Sequence, residues 1–299
     1  APHLDTVGVD NTSALQPKKK GNRIYGRGAC DTKGSVAVMF NVIEKLAKQR
    51  GRPSNTEIVF IGFVDEEGNQ AGSRAFANLN MKADLALVGE PTECKVVTAH
   101  KGDFWLSIKT KGKSAHGARP ELGDNAAHTM AKCIEIIQTK YTNILRKRTH
   151  PILGHPTINT GTIKCGIQPN IVPDNCEAQL DRRTLPGETF ISIQKEIQLL
   201  LNKHKINASI SNIKKFPCPA METDTSSPWV RKFMHSARQS KSIGVDYYCD
   251  AANLADTGIP TIVWGPGNIA QAHTKDEWIS INQIERGVNL LNRFLLSLP

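Results

Sequence analysis

Five short segments of this chain set an acidic or imidazole side chain where a cation or a proton could be handled. The first is His3-Leu4-Asp5. Alternate residues of an extended segment share a face, and a carboxylate holding one ring nitrogen is a common support for a metal-binding imidazole. Alone, this triplet reads equally well as a loop. The second, Gly26-Arg27-Gly28-Ala29-Cys30-Asp31-Thr32-Lys33-Gly34, surrounds one Asp with glycines just before a helical pattern. Helix capping by Asp31 or Thr32 accounts for the acid but not for glycines on both sides. The third, Asp65-Glu66-Glu67-Gly68, crowds three carboxylates at the end of the apolar run Ile58 to Val64. Like charges repel, and a cation bound at the carboxyl end of a strand would remove that cost. A solvated acidic turn explains the triplet taken by itself. Glu90 follows the apolar run Ala83 to Val88, and His273 follows Gly265-Pro266-Gly267-Asn268, after the run that ends at Trp264. A single His is more often structural than a ligand. The repetition is what points to chemistry: four strand-like runs each end in Asp, Glu or His. Three carboxylates and two imidazoles suit a pair of divalent cations with one carboxylate shared. Oxygen and nitrogen donors without Cys favour zinc, with manganese or cobalt as alternatives. Such a pair can bind and activate water.

The elements that would position these groups fall into three blocks. Residues 1 to 98 alternate strand and helix: a strand at the start, a helix from Ser35 to Lys48, a β-rich run from Thr56 to Val64, a helix near Ser73 to Ala77 and a strand from Ala83 to Val88. That alternation predicts a parallel sheet covered by helices. In residues 99 to 213, Phe104 to Thr110 alternates like a half-buried strand, and Asn125 to Leu145 has helical periodicity through Ala126, Met130, Cys133, Ile136 and Ile137. Strand-like runs at Thr157 to Lys164 and Cys176 to Leu185, a helix from Ile191 to His204 and a strand from Ala208 to Ile213 complete a βαββαβ order, a ferredoxin-like unit. Residues 214 to 299 return to a helix from Trp229 to Ser240, a buried strand from Pro260 to Trp264 and a final amphipathic helix from Ile284 to Leu296. The fold class expected is therefore α/β: a mainly parallel-sheet domain made of residues 1–98 and 214–299, with residues 99–213 inserted.

Composition excludes several classes. With 39% hydrophobic and 22% charged residues, the chain can build a core and is not a disordered tail. No apolar stretch is long enough for a bilayer, so no membrane partner is expected. The seven cysteines are scattered and include no CxxC pair, which argues against a disulfide framework and a zinc ribbon and suits a reducing cytoplasm. The net charge of +10 raises the question of nucleic acid. Its basic clusters, Lys18-Lys19-Lys20 and Arg146-Lys147-Arg148, sit beside turn residues without interleaved aromatics, so no nucleic-acid partner is expected. The sequence also opens almost directly on the first candidate ligand, and an amino-terminal segment is expected to precede it.

The five motifs, in this order, resemble those of the dinuclear-zinc amidohydrolases that include acetylornithine deacetylase, succinyl-diaminopimelate desuccinylase and carboxypeptidase G2. HLDTV, GRGACDTKG, DEEGNQAGS, LVGEPT and GPGNIAQAHTKDEW carry the resemblance over essentially the whole chain. The last of these, with AHKG at Ala99 to Gly102 and DRRTLPGE at Asp181 to Glu188, is most like the acetylornithine deacetylases. The resemblance implies that His3 and Glu90 bind one metal, that Glu67 and His273 bind the other, and that Asp31 bridges both. It implies that Asp5 orients His3 and that Glu66 is the general base, taking a proton from the attacking water and handing it to the leaving amine. The inserted block becomes a lid and dimerisation domain of a homodimer. Its His116 would reach across the dimer to stabilise the tetrahedral oxyanion, and Asn170 and Arg183 would help bind the substrate carboxylate. The turn at Gly265 and Gly267 would offer backbone amides to substrate. The implied reaction is hydrolysis of an N-acyl amino acid, N-acetylornithine first. Another acylated amino acid (acetylcitrulline or succinyl-diaminopimelate) or a dipeptide is the alternative, and a non-catalytic binding protein on the same scaffold is the reading from another class. The loop YCDAAN, Tyr248 to Asn253, departs most from the family pattern and lies where side-chain selection is expected.

Overall fold

The computed structural model describes residues 1–49, 52–216 and 218–299, which form two units, each with its own core. The first comprises Ala1–Ala99, Met221–Val245 and Cys249–Pro299; the second comprises His100–Ala220 and Asp246–Tyr248. Relative to the sequence-based boundaries, residues 214–220 and 246–248 belong with the second unit. The reason is local pairing: Asp103 N donates to Cys218 O at 2.8 Å, and Lys214 Nζ lies 2.6 Å from Asp103 and 3.2 Å from the Tyr248 hydroxyl.

In the first unit, residues 1–4 run parallel to two neighbours. Leu4 N donates to Phe63 O (2.8 Å), Phe63 N to Pro2 O (2.9 Å) and Gly89 N to Ala1 O (3.1 Å). His3 is thereby fixed beside the ends of two further apolar runs. The adjoining sheet has the strand order Ile243–Val245, Val97–His100, Thr261–Val263, Ala86–Val88, with Met221–Glu222 paired to Val97–His100. Thr261–Val263 is parallel to Ala86–Val88 but antiparallel to Val97–His100. The sheet is therefore mixed, not mainly parallel. A parallel return needs a crossover of a dozen or more residues, and the link from Val88 to Val97 is too short for one. The expected strand from Thr56 to Val64 pairs only as a bridge at Phe63 among the described residues.

Two helices brace this sheet. Gly34–Lys48 buries Val38, Met39, Val42 and Leu46, a helical stripe. It packs against the last helix, Ile281–Leu296, which buries Leu290, Leu291, Phe294 and Leu295. Phe233, Trp264 and Phe294 fill the space beside them edge to face, with centroids 4.8 and 5.5 Å apart. Each such buried side chain contributes roughly 1.5–3 kcal/mol, so the base of the site rests on a rigid core. A small antiparallel sheet, Lys18–Lys20, Arg23–Tyr25 and Trp278–Ser280, ties the glycine-rich segment to the last motif.

The second unit is a four-stranded antiparallel sheet in the order Thr157–Cys165, Asn175–Thr184, Gly102–Lys111, Ala208–Asn212. Asn175–Thr184 alternates buried and half-exposed residues, as a strand with one covered face must. The helices Ala126–Ile136 and Phe190–Lys203 supply that cover through Met130, Cys133, Ile193, Ile197 and Leu201. Asn125 caps the first by accepting from Ala127 N at 2.9 Å. The helix expected to reach Leu145 instead passes through one wider turn, Ile137–Tyr141, before Thr142–Leu145.

Candidate metal centre

All the candidate ligands lie in the first unit, and the structure brings them together around Asp31. Its Oδ1 is 3.0 Å from His3 Nε2, and its Oδ2 is 3.2 Å from His273 Nε2. Each imidazole meets a second carboxylate: His3 Nε2 is 3.9 Å from Glu90 Oε1, and His273 Nε2 is 3.1 Å from Glu67 Oε1. Donor atoms of His3, Asp31 and Glu67 lie within 4.8 Å of one another. Local backbone sets these directions. Asp31 follows Gly28, which is left-handed (φ +77°), and the Asp31–Thr32 peptide is cis. Asp65 (φ +64°) and His273 (φ +60°) are left-handed too, a conformation uncommon outside glycine that here turns Glu66, Glu67 and the His273 ring toward the cluster.

Asp5 acts differently from the expected carboxylate support of His3. The His3 Nδ1 partner is the Asp5 backbone carbonyl, at 3.0 Å, while the carboxylate stands 3.6 Å away. That carboxylate instead accepts the backbone N–H groups of Glu66 and Glu67, each at 3.2 Å. One residue thus aligns His3 and the acidic turn together.

The charges are strongly biased. Burial alone would raise the Asp31 carboxyl, but hydrogen bonds from His273 and His3 hold it at about 2. Burial opposes protonation of His3, yet the Asp31 hydrogen bond and the charges of Glu66, Asp31 and Asp5 lift it to about 9. Hydrogen bonds to Asp31 and Glu67 lift His273 to about 10. Glu90 is pushed well above the carboxylate range by burial and by the charges of Asp31, Glu66, Asp250 and Glu67. Burial and the Asp250 charge raise Glu66 to about 8. So many acids in one buried place are costly unless positive charge neutralises them. In the protein alone the imidazolium rings do this. The same oxygen and nitrogen donors, three acids and two imidazoles, fit divalent cations.

Two contributors escaped sequence reading. Asp250, buried beneath the acidic turn, accepts from Ser73 Oγ, and Asn253 Nδ2 donates to the same Ser73 Oγ at 2.9 Å. Its signal was the departing YCDAAN loop. Glu277 collects the amides of the Asp31 loop. It closes the GPGNIAQAHTKDEW motif, in which only His273 is a candidate ligand, so the motif assigns it no role of its own.

The expectation that Gly265 and Gly267 offer amides to substrate is overturned. Gly265 N already donates to Thr92 Oγ1 (3.1 Å) and Gly267 N to Gln283 Oε1 (2.7 Å). These glycines serve close packing: a Cβ on Gly265 would stand 2.6 Å from Glu90 O, and one on Gly267 would stand 2.6 Å from Cys30 Sγ.

His116, Asn170 and Arg183 belong to the second unit. His116 is exposed; its neighbour Gly117 donates its N–H to Asn170 O at 2.7 Å, so His116 and Asn170 sit on paired segments. Arg183 does not join them. Its guanidinium faces Asp181, with contacts of 3.0 and 3.1 Å. Lys111 pairs with Asn175 and Asp103 with Arg183. Eight residue steps, about 26 Å at roughly 3.3 Å each, therefore separate Arg183 from the end of the sheet that leads to His116.

The sequence profile of peptidase family M20/M25/M40 matches residues 1–297. The chain belongs to this family. Among its relatives, acetylornithine deacetylases of Vibrio parahaemolyticus and Edwardsiella ictaluri are 30% and 31% identical, over 99% of this chain in each case and over 80% and 78% of theirs. Solved structures share the fold. Aminopeptidase PepT of Bacillus cereus superposes with a TM-score of 0.75 at 22% identity, covering 94% of this chain and 75% of its own. An M20 family metallo-carboxypeptidase of Sulfolobus solfataricus superposes at 0.71 with 20% identity, covering 99% and 83%. The chain is thus an M20 hydrolase with the α/β fold and mixed sheets of that family. Among the described residues, no helix is long and apolar enough to cross a membrane.

Proposed function

We propose that this M20 hydrolase cleaves the amide bond of an N-acyl amino acid, with N-acetylornithine as its substrate. The observation that carries the reading is Asp31, whose two oxygens each meet a different imidazole, at 3.0 and 3.2 Å, with a further carboxylate beyond each ring. His3, Asp31 and Glu90 would hold one divalent cation, and Asp31, Glu67 and His273 a second, zinc at both. When bound, the pair supplies Lewis acidity toward the scissile carbonyl and the attacking water.

The protein's own part is proton handling and alignment. Glu66, buried beside the cluster, takes the proton of the attacking water on its carboxylate and returns it to the leaving nitrogen. Asp5 fixes the Glu66 and Glu67 amides, and so sets where that carboxylate stands. The relatives named acetylornithine deacetylase support the choice of substrate; the fold alone does not choose, since one fold carries many activities.

The second unit's βαββαβ order and strand order support a ferredoxin-like reading, and we propose that it is the lid and dimerisation unit of a homodimer. His116 there stabilises the oxyanion, and Arg183, with Asn170, binds the substrate carboxylate. The separation of Arg183 from the end of the sheet that leads to His116 and Asn170 supports the reading that Arg183 and the His116–Asn170 pair serve one substrate from different copies.

The deciding assay is turnover by the zinc-reconstituted protein on N-acetylornithine, N-acetylcitrulline, N-succinyl-diaminopimelate and dipeptides. The expected result is a kcat/KM for N-acetylornithine at least tenfold above the others. A dipeptide turned over faster would replace the deacylase reading with a peptidase one.

A further inference from the structure

Glu277 closes the last motif, and its carboxylate is 2% exposed. Among the described residues, the hydrogen bonds that its carboxylate accepts all come from the loop that ends in Asp31. Oε1 accepts from the backbone N–H of Cys30 at 2.8 Å and of Asp31 at 3.0 Å. Oε2 accepts from Gly28 N–H at 2.9 Å and from Arg27 Nη1 at 2.8 Å. Sheet pairing puts it there. Trp278 lies opposite Tyr25, and Gly26 N donates to Glu277 O at 3.0 Å, so the side chain faces the residues that follow Tyr25. The left-handed Gly28 turns its amide inward; a Cβ there would lie 2.6 Å from Thr6 Cγ2.

Amides converging in this way make an anion-binding concavity, and Glu277 is a built-in anion for it. We propose that Glu277 is a positioning residue of the metal centre: it gathers the Gly28, Cys30 and Asp31 amides and the Arg27 guanidinium on one carboxylate and thereby fixes the Asp31 side chain between the His3 and His273 rings. Because Glu277 lies in the same segment as His273, it also locks the loop of one imidazole to the loop of the carboxylate that imidazole meets. This rests on Asp31 being the shared ligand. A glutamine of the same shape cannot substitute. It offers one acceptor oxygen, and its amide nitrogen would oppose either Gly28 N–H and Arg27 or the Cys30 and Asp31 amides. Supporting groups behind metal ligands typically carry 10- to 100-fold in metal affinity.

The test compares wild type with Glu277→Gln in three measurements: zinc affinity by competition with a chromophoric chelator, amide hydrogen exchange over residues 26–33 in the metal-free protein, and kcat and KM at saturating zinc. The expected variant binds zinc about 10- to 100-fold more weakly, exchanges the Gly28, Cys30 and Asp31 amides faster, and loses kcat with KM little changed. Wild-type zinc affinity in the variant overturns the proposal. Affinity and exchange are read without substrate, so a wrong choice of substrate leaves them intact. A wild-type protein that takes up no zinc removes the metal-centre reading and this proposal with it. Should the variant not fold, the wild-type exchange rates decide: protected amides at Gly28, Cys30 and Asp31 support the positioning role, and exchange as fast as in an exposed loop overturns it.

Discussion

Glu66 and Glu67 are neighbours in sequence with different proposed tasks, base and ligand, and their surroundings separate them. Glu67 meets the His273 ring at 3.1 Å, whereas Glu66 is buried with its carboxyl lifted to about 8. A proton acceptor beside the ligands but outside the ligand set is the arrangement general-base catalysis requires. Glu66→Gln keeps the shape and removes the base. The expected outcome is a kcat reduced about 10²- to 10⁴-fold with zinc content unchanged by elemental analysis. Near-normal turnover would take the base role away from Glu66.

His100 makes a separate prediction. Its ring is fully buried, with Nδ1 2.9 Å from Lys101 O, and burial holds its pKa at about 4 against an ordinary 6.5. Below 6.5 the unfolded chain takes a proton that the folded state refuses. The contribution is whole above that pH and is lost as pH falls toward 4, by about 3 kcal/mol. Urea midpoints between pH 7 and 4 should fall less steeply for His100→Gln than for wild type. Parallel slopes would show that this ring is not the cause.

At the scale of elements, the sequence exposed whatever was local. The helix expected from Ser35 to Lys48 is present as Gly34–Lys48, one residue longer at its start, with Val38, Val42 and Leu46 buried. The strand-like run expected from Cys176 to Leu185 is present as Asn175–Thr184, and the helix expected from Ile191 to His204 as Phe190–Lys203. What was not local was lost. The run Thr56 to Val64 has strand composition, but pairing is decided by a neighbour, and only Phe63 has one among the described residues. The mixed sheet depends on which strand Val97–His100 joins, a fact of tertiary packing. At the site, four of the five candidate ligands were legible because each ends or follows a strand-like run, and Asp31 because glycines flank it on both sides. Glu277 was not, because its partners at Gly28, Cys30 and Asp31 are joined to it only by the pairing of Trp278–Ser280 with Arg23–Tyr25. The glycines at 265 and 267 were visible as a turn, but their amides are consumed by Thr92 and Gln283, which no spacing announces.

The molecule as a whole must satisfy a geometric demand set by its own second unit. Arg183 stands opposite Asp103, whereas Lys111, at the other end of the same strand, leads on to His116 and its partner segment at Asn170. A small acylated amino acid spans far less than the roughly 26 Å from Arg183 to that end of the strand, which supports the proposal that the two roles are met by different copies. The proposed symmetric dimer would meet them, with each copy lending its His116 to the other's site. This reading forecasts complementation. Glu66→Gln and His116→Ala homodimers should each be nearly inactive. Coexpressed with different affinity tags, the two variants form heterodimers in which one site carries Glu66 from one copy and His116 from the other, both intact, while the second site lacks both. Random pairing makes half of the dimers mixed, with one of two sites live, so the pool should recover about a quarter of wild-type turnover, and the doubly tagged fraction about half. Activity no higher than in the separate homodimers would place His116 in its own copy's site or outside catalysis. Zinc content measured on the same fractions would show that the loss lay in proton transfer and oxyanion binding, not in an empty centre.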